Sequence, residues 1–167
     1  KSCKAILSVS KSIIKVGAGL ASGDPTWWSK VYKGQPQFPE QPTVQPINAL
    51  AIHPYGQRPT PDFPHPGWGF GYVGDLIEAY KSVWGGYMWI TECGDSTTNQ
   101  AEQAQYLRKF YETISRDYAP PCYEVFWFCY SDGMVAPYGL RNAGSGEPKP
   151  AYGAYAGMTA ATANIQT

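Results

Sequence analysis

Short apolar runs alternate with amphipathic stretches along nearly the whole of this chain, and that rhythm restricts the folds open to it. The runs Ile13 to Leu20, Asn48 to Gly56, Tyr87 to Glu92 and Tyr123 to Tyr130 read as buried strands. Helices are expected from Thr26 to about Lys33, Tyr72 to Trp84, Gln100 to Tyr118 and, shorter, Ala151 to about Ala161. One more helix reads over residues 1 to 12. The order is thus a helix followed by four strand–helix units, which argues for parallel strands joined by helical crossovers.

Local punctuation agrees. Asp24 is placed to cap a helix that Pro25 opens, and Gly85-Gly86 ends the second helix. Asn99 with Glu102 three residues on forms a capping box, and Pro120-Pro121 stops the helix that it begins. Doubly wound sheets and eightfold barrels share this alternation. The chain has no GxGxxG turn and no GxxxxGK[ST] loop, so phosphate-cradling sheets lose ground. The expected fold class is α/β, a (β/α) barrel segment whose chemistry sits on the loops after the strands.

Composition narrows the function. Thirteen basic and thirteen acidic side chains balance, leaving no basic footprint for nucleic acid. No run reaches the length of a membrane span. Aromatic residues make up 15 % of the chain, which suits sugar binding but equally suits cores. Cys3, Cys93, Cys122 and Cys129 form no CxxC, and His53 and His65 are not at metal-ligand spacing with them. The cysteines read as free or distantly paired, and no metal or organic cofactor is implied.

One carboxylate stands out. The apolar run of the third strand leads directly to Glu92 and then gives way to Gly94 and a polar cluster. Such an acid is either solvated at a strand end or presented at a functional rim. On the second strand, alternation puts Leu50 and Ile52 on one face and Ala49, Ala51, His53 and Tyr55 on the other. The long proline-rich loop from Gln57 to Gly71 carries Arg58, Phe63, His65, Trp68 and Phe70, the composition of a functional lid.

With these motifs in place, the chain resembles a known group. Ala49-Leu50-Ala51-Ile52-His53-Pro54-Tyr55, Trp89-Ile90-Thr91-Glu92-Cys93-Gly94-Asp95-Ser96, and Tyr138-Gly139-Leu140 through Glu147-Pro148-Lys149-Pro150-Ala151-Tyr152 look like the second half of a retaining glycoside hydrolase (β/α)8 barrel. The likeness is to glycoside hydrolase families 39 and 5. Gly19-Leu20-Ala21-Ser22-Gly23-Asp24-Pro25 resembles the end of strand five in the same proteins. The resemblance implies that residues 1–167 form strands five to eight, half of a TIM-type barrel and part of a longer domain.

It also implies site roles. Glu92 matches the nucleophile at the end of strand seven, and Tyr55 and His53 match residues that line the site beside it. Trp127 resembles the aromatic platform under the bound sugar, with Phe128 taking that place if the strand phase shifts by one. Trp68 is either a subsite platform or an anchor of its loop. The implied activity is hydrolysis of a β-linked polysaccharide or glycoside through a covalent intermediate, in a secreted or periplasmic setting.

One departure matters. The acid/base glutamate of these families follows an Asn at the end of strand four, and no Asn-Glu pair occurs in this chain. Asp24, Asp95 and Asp132 lie near the expected rim without occupying that place. The chain by itself is therefore expected to be inactive. Four parallel strands also leave open edges, to be covered by a missing N-terminal half-barrel or by self-association. The alternative function is a non-catalytic carbohydrate-binding or assembly module that keeps the barrel surface.

Overall fold

The computed structural model of the chain describes residues 14–20, 24–32, 47–64, 71–120 and 122–163. The helix expected over 1 to 12, Cys3 and Trp68 lie outside these residues. Eight elements follow in alternation: β1 (Val16–Gly17), α1 (Pro25–Tyr32), β2 (Ala49–Ile52), α2 (Val73–Lys81), β3 (Tyr87–Cys93), α3 (Gln100–Asp117), β4 (Cys122–Trp127) and α4 (Pro150–Ala163).

The four strands form one sheet in the order β1-β2-β3-β4, each parallel to its neighbour. Strand order follows chain order without reversal. A doubly wound sheet would turn back at a switch point; this winding in one direction is that of part of a TIM-type barrel.

The helices cover one face of the sheet. Leu50, Ile52, Met88 and Ile90 point into a core with Val73, Ile77, Tyr80 and Trp84 on one side and Ala104, Leu107, Phe110 and Ile114 on the other. The apolar stripe of α2 is therefore packed, although the helix, expected to reach Trp84, ends at Lys81 and Trp84 enters the core from the following turn. The Trp84 indole N–H donates to the Tyr87 carbonyl at 2.8 Å, fixing the approach to β3. On α1, Trp28 is buried and its neighbour Trp27 exposed, as adjacent helical positions facing different ways require.

Among the described residues, the opposite face of the sheet is only partly covered. Ala49 and Ala51 pair in register with Tyr87 and Trp89. Ile14, Asn48, Ala49, Tyr87, Trp89 and Glu124 line a shallow cavity of about 410 Å³ there. Tyr87 and Phe126 remain roughly half exposed, at 53 % and 45 %.

Caps hold the ends where the sequence places them. Asp24 Oδ1 accepts the Thr26 N–H at 2.8 Å, opening α1. Asn99 Oδ1 accepts the N–H groups of Ala101 and Glu102, while Asn99 Nδ2 donates to Glu102 Oε1 at 2.8 Å. The box closes through this side-chain pair, and the Asn99 N–H donates to Thr97 Oγ1 instead. Cys93, Cys122 and Cys129 are buried and free. Burial holds the Cys93 thiol well above its usual range and pushes Cys122 up to about 12, so both are inert packing groups.

Candidate active site

Everything at the site depends on an irregularity near the end of β3. Ile90 pairs with Val125, but Cys93 pairs with Trp127, so three steps on β3 match two on β4. One extra residue is thereby inserted. Ile90 and Cys93 both turn into the core, and Thr91 and Glu92 both lie on the partly exposed side. Strict alternation from Met88 and Ile90 would have aimed Glu92 into the helices. The bulge turns it to the mouth of the sheet, where its side chain is 40 % exposed.

Two side chains from the end of β2 meet it there. The Tyr55 hydroxyl donates to Glu92 Oε2 at 3.0 Å, and His53 Nδ1 lies 3.8 Å from the same oxygen. On its other side, His53 Nε2 sits 2.9 Å from Thr91 Oγ1. Burial, and then the hydrogen bond to Glu92, raise the Tyr55 phenol far above its ordinary range. Tyr55 is thus a fixed donor to the carboxylate.

An aromatic wall backs the group. The Tyr55 ring meets Phe128 edge-on at 6.1 Å and Tyr138 at 5.7 Å, and Phe128 and Tyr138 touch at 6.1 Å. Gly94 allows this approach: a Cβ there would lie 2.6 Å from the Phe128 carbonyl oxygen and 2.9 Å from the Tyr138 ring. Gly19, beyond β1, does the same for the histidine, since a Cβ would fall 2.2 Å from His53 Nε2.

Tyr138 is held from behind. Its carbonyl accepts the Trp127 indole N–H at 3.0 Å, and the preceding Pro137 carbonyl accepts from Gln103 Nε2 and Lys149 Nζ. Lys149, almost fully buried, also bonds both oxygens of Asp132, each at 3.2 Å. Asp132 Oδ1 accepts the Gly139 N–H at 2.7 Å.

Glu92, Tyr55 and His53 are therefore brought together as the motifs suggest. Trp127 is not brought to them. It lies 8 % exposed in the core, edge-on to Tyr106, because its partner in register is the core-facing Cys93. The residue on the open side is Phe128, one step further on. Arg58 anchors its own loop, donating to the Pro61 carbonyl at 2.7 Å. The rim aspartates are engaged elsewhere: Asp24 caps α1, Asp95 Oδ1 accepts the Thr97 N–H, and Asp132 pairs with Lys149. Thr91, Gly19 and Gly94 are contributors that motif reading assigned no role. The glycines could have been suspected from their place just after apolar runs, whereas Thr91 carries no such signal. Among the described residues, no group of three or more His, Cys, Asp or Glu side chains could hold a metal ion.

No protein-family model matches the chain, and no curated protein does. Solved structures do share its fold. A family 128 (subgroup I) endo-β-1,3-glucanase from Amycolatopsis mediterranei aligns over 93 % of this chain and 62 % of its own, with TM-score 0.66 and 16 % identity. A family 128 (subgroup VII) oligosaccharide-binding protein from Trichoderma gamsii aligns over 88 % of this chain and 52 % of its own, with TM-score 0.60 and 13 % identity. A family 39 glycoside hydrolase from Bacteroides cellulosilyticus aligns over 77 % of this chain and 28 % of its own, with TM-score 0.51 and 25 % identity. The chain thus spans between about a quarter and three fifths of these proteins. The family 39 likeness has a counterpart in fold, while the family 5 likeness rests on sequence motifs alone. The chain has the α/β fold of part of a TIM-type barrel.

Proposed function

We propose that this chain is the nucleophile-bearing part, strands five to eight, of a retaining O-glycoside hydrolase acting on a β-linked glucan. The observation that carries the reading is the 3.0 Å hydrogen bond from Tyr55 to Glu92 at the C-terminal end of a parallel sheet. A retaining enzyme needs one carboxylate, ionised and aimed, to attack the anomeric carbon. A second group, roughly 5 Å away, protonates the leaving oxygen and later activates water. Glu92 takes the first role, with Tyr55 and His53 holding it.

Phe128 and Tyr138, in place of Trp127, supply the aromatic face against a pyranose ring. The second carboxylate comes from a preceding half-barrel of the same polypeptide, which would also cover the open sheet face. β-1,3-Glucans are the substrate class to test first, because the Amycolatopsis neighbours are endo-β-1,3-glucanases, two of them in complex with laminaritriose.

The second reading, a carbohydrate-binding module without turnover, is favoured by the Trichoderma neighbour, which is named an oligosaccharide-binding protein. Laminaritriose titration and fluorogenic β-glucosides, applied to this chain and to a form extended upstream, separate the two. Turnover that disappears in Glu92→Gln supports the enzyme. Binding without turnover in both forms supports the module, and neither binding nor turnover in either form contradicts both.

A further inference from the structure

The imidazole of His53 stands between two oxygens of consecutive residues on β3. Its Nε2 is 2.9 Å from Thr91 Oγ1, and its Nδ1 is 3.8 Å from Glu92 Oε2. A neutral imidazole carries one proton, so one ring nitrogen donates and the other accepts. A hydroxyl can do either, but a carboxylate only accepts. These constraints have one arrangement that suits both oxygens: Thr91 donates to Nε2, and the proton resides on Nδ1, directed at Glu92.

We infer that Thr91 is a positioning residue that selects the Nδ1–H tautomer of His53. The carboxylate of Glu92 then faces two donors, the Tyr55 hydroxyl and the His53 Nδ1–H. At 3.8 Å the second contact is longer than a hydrogen bond and acts as a directed dipole. The ring packs closely against Gly19, where an added Cβ would collide with it. The bulge on β3 is what makes the arrangement available, since it presents residues 91 and 92 on the same side of the strand. A regular strand would send the hydroxyl and the carboxylate to opposite faces.

The tautomer is a property of the folded chain, while its consequence for catalysis rests on Glu92 being the reacting carboxylate. The two can fail separately. Long-range proton–nitrogen correlation spectra of the chain labelled with 15N-histidine read the tautomer directly. They are recorded at a pH well above the ordinary histidine pKa of about 6.5. His65→Gln assigns the two histidines.

The expected result is a protonated Nδ1 and a bare Nε2 on His53. Thr91→Val, which keeps the shape and removes the donor, shifts the population toward Nε2–H, and Thr91→Ser restores the wild-type pattern. A wild-type His53 protonated at Nε2, or a Thr91→Val spectrum unchanged from wild type, overturns the inference. If Thr91→Val does not fold, the wild-type and Thr91→Ser spectra decide alone. A confirmed tautomer in a protein that neither binds nor cleaves glucans would leave this inference standing and remove the function.

Discussion

At the scale of single residues, the proposed chemistry turns on how Glu92 is held. Tyr55 reaches it at 3.0 Å with a hydroxyl that burial and the carboxylate together keep protonated. Hydrogen bonds to charged groups contribute about 1.5–3 kcal/mol. Tyr55→Phe should therefore lower glycosidase kcat/KM of the extended form by roughly ten- to a hundredfold while leaving the fold intact. An unchanged kcat/KM would show that the bond has no part in the chemistry. The same burial has a consequence for stability. Tyr55, Tyr111 and Cys93 are raised far above their usual ranges, and Cys122 to about 12. In the unfolded chain these thiols and phenols ionise near about 8.5 and 10. The folded state keeps their protons, so their contribution is complete below the unfolded values and declines as pH rises past them. The urea midpoint should fall between pH 8 and pH 11, and a flat profile would contradict the buried assignments.

At the scale of elements, the loop after β4 is the part most dependent on one contact. Lys149 and Asp132 form a nearly buried ion pair that also fixes Pro137 and Gly139, on either side of Tyr138. Breaking a buried pair leaves an uncompensated charge. Lys149→Met should cost about 3 kcal/mol in urea unfolding and loosen the Tyr138 ring from Tyr55. A loss near zero would mean the pair is solvated. These elements also show what a sequence can convey. The four strand–helix units, the Asn99 cap and the core stripe of the second helix were legible because periodicity and capping are local. The grouping of His53, Tyr55 and Glu92 was legible only through whole motifs. The bulge was not, because an extra residue in one strand appears only against its partner's register. That is also why Trp127 read as a platform. Its phase at the end of β4 is set by pairing with Cys93, which turns the indole inward and leaves Phe128 on the open side.

At the scale of the whole molecule, the sheet is packed on its helix side and, among the described residues, only partly covered on the other. Ile14, Tyr87 and Phe126 are 59 %, 53 % and 45 % exposed on or beside that open face. Apolar surface of this kind tends to be covered. The chain by itself should sediment as an associating species, and Phe126→Glu should shift it toward monomer; a monomer at all concentrations would show that the face is tolerated bare. Whether Glu92 attacks a sugar can be tested without a general acid, because a dinitrophenolate leaves without being protonated. Incubation with a fluorinated β-glucoside bearing that leaving group, followed by peptide mass mapping, traps the covalent intermediate of a retaining enzyme. The expected result is one glycosyl adduct, on Glu92, absent in Glu92→Gln. An adduct on another residue, or none on Glu92 in either the chain or its extended form, would contradict it.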